Sequence, residues 1–317
     1  MARKTKFDQL REQAVRRAEE WGKSVTTSPA PLHELAKSLE IQSIRFEPLL
    51  SSAGLEKNTR GFSIIVNTEG FGATSPAGTV LQPSEEEWGE LRPPVRFSVA
   101  HEMAHVIFMK LARAERSDLL RKKLEELEVA CNRIAGMILI PAQYFLRHVS
   151  KDLFDASRLR TLLTEIRVSP EVFVRRLKQP DMQRAFRDLH GYLAFVRQDN
   201  AKLRIVASEA FGPHARARFG ERSVQGTLGR SQTRNTQSKS LWDKQWLTLD
   251  DLDLPSDDRI RLSNDEVHRQ EIAVRCKNNV MLPCVFSAAR CTNNPVGFLI
   301  AVEVTDGPKP RHADATF

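Results

Sequence analysis

Residues 95–112 read VRFSVAHEMAHVIFMKLA, and their apolar side chains fall almost all the way round a helical projection. A helix without a polar face must be buried, so this stretch predicts a central helix of the fold. Within it, His101, Glu102 and His105 form the sequence H-E-x-x-H. Residues four apart project from one face of a helix, so both imidazoles can reach a single metal ion.

A metal ion held by two histidines needs at least one further protein ligand. Zn2+ is the usual ion of this motif, and a fourth position left open makes the site catalytic, whereas four protein ligands make it structural. Glu102 directly follows the first histidine and is expected to take a proton from the attacking water as a general base. The alternative is a pair of histidines that are ordinary core residues.

The third ligand is expected on the next apolar helix, LEELEVACNRIAGMILIP, which Pro141 ends. Glu128 is the preferred candidate because it continues into the apolar run, while Glu125 and Glu126 are competitors on the charged side. Asn132 lies one turn beyond Glu128 and is placed to hold a ligating histidine through its other ring nitrogen. A hydrogen bond to nearby backbone is the alternative role for Asn132.

Upstream of these two helices, the pattern mixes helices and strands. Apolar residues from Phe7 to Trp21 recur at helical spacing, and Gly22 is expected to end that helix. The segment PLHELAKSLE predicts a second, short helix, and IQSIRFEPLL and GFSIIVN predict strands joined by a glycine-bearing turn. Residues 68–94 are rich in Gly, Pro, Ser and Glu and predict a loop.

Downstream, ASRLRTLLTEI and SPEVFVRRL predict a helix pair, with Ser169 as N-cap and Pro170 at the first helical position. The second helix could read DNA, but packing against the preceding helices is preferred because its apolar positions need cover. From Gly191 onwards the pattern is that of strands: GYLAFVRQ, KLRIVASE, EIAVRCK, NVMLPCVFSA and PVGFLIAVEV. We therefore expect an α+β protein, with one domain over residues 1–182 and a smaller α+β domain of about five strands over residues 183–317.

Charge is unevenly distributed in the second domain. Residues 201–240 contain eight lysines and arginines against two glutamates, and residues 241–258 contain six aspartates against one lysine. The basic run could form a groove with aromatic stacking faces for single-stranded nucleic acid. Its candidate residues are Arg216, Arg218, Arg222, Arg230, Arg234, Trp242 and Trp246. The alternative is a solvated arginine-rich loop whose two tryptophans form the edge of a core.

Length and composition limit the class of protein. The 317 residues are 41% hydrophobic and 28% charged, with a formal net charge of +8, which fits a folded chain with an anionic partner. The charged N-terminus and the lack of a long apolar run predict a cytoplasmic protein without membrane contact. Four cysteines without a C-x-x-C pair predict free thiols. Cys276, Cys284 and Cys291 are expected to be small buried strand residues, and the alternative is a thiolate that blocks the metal site.

The two apolar helices together resemble one known family. The string RFSVAHEMAHVIF, followed by ELEVACNRIAGMILIP, is similar to the pattern of the ImmA/IrrE zinc metallo-endopeptidases. That pattern is F-x-x-A-H-E-x-x-H and then E-x-x-C/A-N-x-x-A-x-x-L-x-x-P. The resemblance extends from about Pro31 to Leu177, and it departs where MILI at residues 137–140 replaces the family's usual E-L-L-M.

This resemblance implies a zincin-like fold of the gluzincin type, with Zn2+ held by His101, His105 and Glu128 and with Glu102 as catalytic base. It also implies a sensor-like C-terminal domain. The resemblance further implies that the substrates are helix-turn-helix transcriptional repressors. Cleavage of such a repressor releases genes of mobile elements, DNA damage responses or defence loci such as those against phage.

A donor for the oxyanion of the transition state is harder to assign. Tyr144 and His148 follow the metal-binding helices closely in PAQYFLRHVS and are the candidates. The alternative for each is an ordinary helix position.

The sequence therefore predicts a zinc endopeptidase that makes a limited cut in a helix-turn-helix repressor. Single-stranded DNA is a candidate activator that would act through the basic run of the second domain. The strand SIIVN could hold the substrate as an added strand. The alternative, from a different class, is a nucleic-acid-binding regulator that derepresses by binding alone and whose zinc site is structural or vestigial.

Overall fold

The computed structural model describes residues 4–69, 76–112, 117–149, 153–199, 202–212, 246–247, 268–275, 281–293 and 296–304. The chain divides into two compact units. The first consists of Met1–Val149 and Leu163–Gln179, and the second of Ser150–Leu162 and Pro180–Phe317. Helices and antiparallel sheet in these units confirm the predicted α+β class. The domain boundary between residues 182 and 183 stays a prediction.

Helices make up most of the first unit. The helices of the described residues are α1 (Lys6–Ser24), α2 (Leu32–Ser38), α3 (Glu85–Gly89), α4 (Pro93–Ala112), α5 (Ser117–Lys122), α6 (Leu124–Leu139), α7 (Ala142–Val149), α8 (Ala156–Glu165), α9 (Pro170–Leu177) and α10 (Pro180–Ala185). None of the helices in these described ranges has the length and apolar character needed to cross a membrane.

A small sheet completes the first unit. Its strands are β1 (Ile41–Glu47), β2 (Ala53–Asn58), β3 (Gly61–Asn67) and β4 (Val80–Leu81), in the order β2-β3-β1-β4. Strands β1 and β3 are parallel, and the other two pairs are antiparallel. This order places β3 in the interior of the sheet and leaves β2 at one edge.

The structure corrects three details of the predicted elements. Gly22 does not end the first helix: α1 continues to Ser24, and Gly22 lies against Pro141, whose Cβ would be 3.2 Å from an added methyl group. The glycine-bearing turn between the predicted strands contains β2, which lacks the apolar alternation of a half-buried strand. The predicted loop over residues 68–94 contains β4, α3 and the start of α4.

Helix α4 forms the centre of the first unit, as its sequence predicts. It packs against α1, α6, β2 and β3, and Val99, Ala100 and Met103 are completely buried. Arg96 is buried too, because its guanidinium donates hydrogen bonds to the carbonyl oxygens of Trp88 (3.2 Å) and Ala30 (2.8 Å). Burial lowers the pKa of Arg96 to about 10, so the side chain keeps its charge and ties α3 and the loop before α2 to α4.

Helix α9 packs against α6. Ser169 caps α9 and Pro170 begins it, as predicted. Arg176 is buried and donates to the carbonyl oxygen of Ile140 at 3.1 Å, just past the end of α6. Arg176 is therefore not free to reach phosphate, because this side chain satisfies a carbonyl that the helix end leaves open. Phe173 is fully buried as well, so α9 packs as the sequence favours.

The described part of the second unit contains the start of α8, helix α10 and an antiparallel sheet. Its strands are β5 (Gly191–Asp199), β6 (Lys202–Phe211), β7 (Trp246–Leu247), β8 (His268–Arg275), β9 (Met281–Asn293) and β10 (Val296–Val304), in the order β7-β6-β5-β10-β9-β8. The five predicted strands are present, and β7, with two residues, is too short to be seen in a sequence pattern. The Oγ of Ser287 donates to the carbonyl of Phe154 (2.8 Å) and accepts from the amide of Ala156 (3.0 Å), which ties the start of α8 to β9.

Candidate metal centre

The predicted metal ligands converge where α4 packs against α6. The Nε2 atoms of His101 and His105 are 3.1 Å apart. The carboxylate of Glu128 lies 3.1 Å from Nε2 of His101 and 3.2 Å from Nε2 of His105. One ligand atom from each residue lies within 4.8 Å of the other two. These three side chains therefore form a cluster of donor atoms that could hold a metal ion.

The competing glutamates lie elsewhere on α6. Glu125 and Glu126 are exposed, and the carboxylate of Glu126 pairs with the ammonium of Lys123 at 2.6 Å. Glu128 differs because it faces α4, on the same side of the helix as Leu124 and Asn132. The choice among the three glutamates thus depends on helical phase, which the sequence pattern contained.

The chemistry of the cluster fits zinc. With zinc–ligand bonds of roughly 2.0–2.2 Å, tetrahedral ligand atoms lie about 3.4 Å apart, close to the separations found here. In the described part of the chain the cluster has three protein donors, the number used by catalytic rather than structural zinc sites. The side chain of Glu128 is 44% exposed and those of the histidines are 14% and 17% exposed, so one side of the cluster is open to solvent.

Asn132 contacts the ring nitrogen of His101 that is not in the cluster. Its Oδ1 lies 3.1 Å from Nδ1 of His101. An amide oxygen only accepts hydrogen bonds, so Nδ1 carries the proton and the lone pair of Nε2 points to the cluster. The structure therefore brings Asn132 to the partner and the ring nitrogen that the sequence indicated for it.

The second histidine is held in its neutral form. Burial is the largest cause that lowers the pKa of His105, and the neighbouring His101 adds to this effect, while Glu128 opposes it. A neutral imidazole has the free lone pair that a metal ion needs. The environment of α4 thus favours the ligating form of His105.

Glu102 lies in the same groove but is not a member of the donor cluster. It is buried, and burial raises the pKa of its carboxyl group to about 7, with the charge of Glu128 as a smaller cause. A cation in the cluster would act in the opposite direction by stabilising the carboxylate. A carboxyl group whose proton affinity is tuned in this range can both accept and release a proton near neutral pH.

The cluster opens into a groove of about 480 Å3 between α4, α6 and the sheet. One wall is formed by Ser51–Gly54, which are the two residues before β2 and the first two residues of that strand. The other walls include Phe97 and Ser98 of α4. The ring of Phe97 lies 6.4 Å from that of His101. A volume of this size suits a few residues of an extended peptide rather than water alone.

The strand next to this groove is β2, and the predicted role of SIIVN in β3 is wrong. Both edges of β3 are already paired, one with β1 and the other with β2. In the described residues β2 pairs with β3 alone, so its other edge has backbone groups available to a further strand. The sequence misled here because the most apolar strand of a small sheet is its interior strand.

The two candidates for an oxyanion donor lie on α7. Tyr144 lines a small cavity with Val25, Pro141 and Ile166, and this cavity is separate from the groove that contains the histidines. His148 is in the last turn of α7, but its side chain is outside the described residues. The structure therefore does not bring Tyr144 to the metal cluster, and the role of His148 stays a prediction.

Most of the predicted nucleic-acid segment lies outside the described residues. This holds for Arg216, Arg218, Arg222, Arg230, Arg234 and Trp242, and for the side chain of Trp246, whose backbone is in β7. Among the cysteines, Cys276 and the side chain of Cys284 are outside the described residues as well. Cys291 is a half-buried free thiol in β9, and burial raises its pKa to about 11.

Sequence reasoning missed the residues that form the walls of the groove. Phe97 precedes His101 by one helical turn, so helical phase alone places it on the same face. The sequence of Ser51–Gly54 does not indicate a role in the site, because small polar residues at this place predict only a turn.

Residues 92–178 match the IrrE N-terminal-like domain of Peptidase M78. The match shows a domain similar to those of the Peptidase M78 family in this part of the chain. The M78 domain contains α4, α6 and α9, and with them His101, Glu102, His105, Glu128 and Asn132. The resemblance drawn from the two helical motifs is confirmed over this range, while the segment from Pro31 to Leu91 precedes the matched residues.

Among solved structures, a chain named "Mycobacterium tuberculosis transcriptional regulator" is 14% identical, with 94% of this chain and 93% of that chain covered and a TM-score of 0.45. Among curated proteins, none matches the chain.

Replacement of Asn132 with alanine is expected to weaken zinc binding by about 10- to 100-fold, because the His101 ring loses the acceptor that fixes its tautomer and orientation. Competition with a chromophoric zinc chelator measures this affinity. The matched control is Val129→Ala, which shortens an exposed side chain on the same helix and is expected to bind zinc as the wild type does. Equal zinc affinity of Asn132→Ala and the wild type would show that Asn132 does not support His101.

Proposed function

We propose that the chain is a zinc-dependent endopeptidase. The observation that carries the proposal is the cluster of His101, His105 and Glu128 in an open groove, with the buried carboxyl group of Glu102 beside it. The match of residues 92–178 to a peptidase domain supports hydrolysis of peptide bonds as the reaction. Zinc is proposed over other divalent ions because two imidazoles and one carboxylate are its usual catalytic ligands.

The residues of the chain would divide the chemistry among them. When bound, zinc supplies a Lewis acid that polarises the scissile carbonyl group and lowers the pKa of water. Glu102 takes the proton that the attacking water loses and passes it to the nitrogen of the leaving amine. Asn132 keeps the ring of His101 in its ligating orientation, which limits reorganisation of the site during the reaction.

The edge of β2 is the proposed support for the substrate backbone. An extended peptide added to this edge would make main-chain hydrogen bonds that do not depend on its sequence. Since Ala53 and Gly54 line the metal groove, a peptide on β2 would pass directly beside His101 and Glu102. The small side chains of Ser52, Ala53 and Gly54 leave room for that approach.

The proposed substrate is a helix-turn-helix repressor, cut at a limited number of bonds. Support for this class comes from the resemblance to the ImmA/IrrE family and not from the shape of the groove. Activation by single-stranded DNA is proposed on the sequence of the basic run over residues 201–240 alone. Derepression of a stress, mobile-element or defence locus would follow from loss of the repressor.

Capture of the substrate tests this function. The Glu102→Gln variant, expressed in the source organism with and without DNA damage, is expected to retain bound substrate because it keeps the groove but lacks the proton acceptor. Mass spectrometry of the co-purified proteins should identify a small helix-turn-helix protein, and the purified wild type should cleave that protein.

The control for this capture is the double variant Glu102→Gln/Glu128→Ala, which lacks a metal ligand and should retain less of the same protein. Recovery of nucleic acid only, with zinc present and with no protein cut by the wild type, would contradict the endopeptidase. That result would favour the non-proteolytic, nucleic-acid-binding regulator.

A further inference from the structure

A second groove, of about 540 Å3, lies at the other end of the β2 strand. Its walls are the turn between β2 and β3, the last residues of α4 and Leu120 of α5. The end of β2 contributes Lys57 and Asn58, the turn contributes Arg60, and α4 contributes Met109 and Lys110. This groove contains none of the metal ligands, and the proposed reaction does not use it.

The charges of this second groove are mainly positive. Lys57, Arg60 and Lys110 line it together with one acidic residue, Glu40, which pairs with Lys110 at 3.0 Å. Lys57 and Arg60 are exposed and make no ion pair within the described residues. Met109 adds an apolar side chain that is 37% exposed. A cationic groove with one apolar wall suits a carboxylate on a short aliphatic stem, which is the side chain of aspartate or glutamate.

The same two elements form both grooves. His101, His105 and Met109 recur every four residues, so they follow one face of α4 from the metal cluster to the second groove. Along β2, Ala53 and Gly54 line the metal groove, and Lys57 and Asn58 line the second. Four steps along the strand span about 13 Å, and the nine steps along α4 from His101 to Lys110 span about 14 Å. Both elements therefore give the same separation between the two grooves.

We propose that the second groove is a distal subsite for the substrate peptide, which binds an acidic side chain about four residues from the scissile bond. This inference rests on the proposed endopeptidase function. A peptide paired with the edge of β2 advances about 3.3 Å per residue, so four residues carry it from the metal cluster to Lys57 and Arg60. The subsite would select among sequences that the backbone contacts of β2 do not distinguish.

Hydrogen bonds fix the conformation of the turn next to the two cations. The Oδ1 of Asn58 accepts a hydrogen bond from the amide of Arg60 at 2.9 Å, and the amide of Phe62 donates to the carbonyl of Glu40 at 3.0 Å. Gly61 has a φ of 147°, and a Cβ at this position would lie 2.0 Å from the carbonyl oxygen of Glu40. Only glycine fits there, so this turn can approach the backbone at Glu40 closely.

The test uses fluorogenic peptides built on a sequence that the zinc-loaded wild type cuts. Each peptide has an Asp-Asp pair or an Asn-Asn pair placed two, four, six or eight residues from the scissile bond, on either side. The readout is the ratio of kcat/KM for the acidic peptide to kcat/KM for its neutral analogue. We expect a ratio of about 3 to 10 at four residues on one side, since partly exposed ion pairs contribute modestly. The ratio should fall as salt is added.

The double variant Lys57→Glu/Arg60→Glu is expected to lower this ratio to one or below, because the cations are replaced by repulsive charges. The neutral variant Lys57→Gln/Arg60→Gln should give a ratio near one and serves if the charge reversal impairs folding. The matched control is Arg16→Glu/Arg17→Glu, which changes the net charge equally at exposed positions of α1 that line neither groove. It should keep the wild-type ratio.

The outcomes separate this subsite from the function on which it rests. Equal cutting of acidic and neutral peptides by the wild type would overturn the subsite alone. An acidic preference that survives in the Lys57 and Arg60 variants would also overturn it. The same holds if those variants lose single-stranded DNA binding but keep the peptide preference of the wild type. If the zinc-loaded wild type cuts no peptide, the endopeptidase proposal fails and the subsite fails with it.

Discussion

Replacement of Glu102 with glutamine is expected to lower kcat for peptide hydrolysis by about 10²- to 10⁴-fold, the usual contribution of a general acid–base residue. Glutamine has nearly the same shape but cannot accept the proton of the attacking water. Zinc affinity and KM should stay close to the wild-type values, because Glu102 is not among the clustered donor atoms. Steady-state kinetics together with zinc content per chain measures each of these quantities.

The fold should tolerate this change. Glu102 is buried beside the carboxylate of Glu128, and both burial and that charge disfavour its ionised form. A neutral amide avoids this repulsion, so the Tm of the zinc-free variant should equal or exceed that of the zinc-free wild type. The matched control is Glu125→Gln, which makes the same chemical change at an exposed position of α6. Undiminished activity of Glu102→Gln would exclude Glu102 as the proton acceptor.

Replacement of Glu128 with alanine is expected to abolish both zinc binding at micromolar metal and peptide hydrolysis. The two histidines would then be the only ligands left in the cluster described here. Zinc affinity should fall by more than the roughly 10- to 100-fold expected when a residue that only supports a ligand, such as Asn132, is replaced. The side chain of Glu128 is nearly half exposed, so the variant should fold, which circular dichroism can verify. Metal analysis after dialysis gives the zinc content.

Two neighbouring glutamates provide controls for Glu128→Ala. Glu125→Ala and Glu126→Ala remove carboxylates from the same helix turn, and both should keep a full equivalent of zinc. If either of them loses zinc while Glu128→Ala retains it, the ligand assignment is wrong. The comparison also separates loss of a ligand from a general loss of negative charge near the site.

The centre of the fold was readable from the sequence because its signals are periodic. The apolar run of α4 predicts burial, and the H-E-x-x-H spacing places two imidazoles on one face. The helical phase of α6 favoured Glu128 over Glu125 and Glu126, and it placed Asn132 one turn beyond. Each of these inferences depends on residues within one or two helices, where geometry follows directly from spacing.

The walls of the site depend on tertiary packing and were not readable in this way. Strand β2 has the sequence AGLEKN, which contains neither alternation nor β-branched residues, and it forms because β3 pairs with it. Gly22 has the local signature of a helix end, yet it allows α1 to approach Pro141 closely. Arg176 looks solvated in sequence, but the end of α6 needs its hydrogen bonds. In each case a distant partner overrides the local preference.

The most direct test of the account is cleavage of a peptide library by the purified full chain. The library is a proteome digest with blocked termini, supplied with single-stranded DNA, and new termini are identified by mass spectrometry. The account predicts internal cuts by the zinc-loaded wild type, no cuts after treatment with a zinc chelator, and recovery when zinc is restored. Absence of cuts by folded, zinc-loaded protein, or equal cutting by Glu102→Gln, would contradict it.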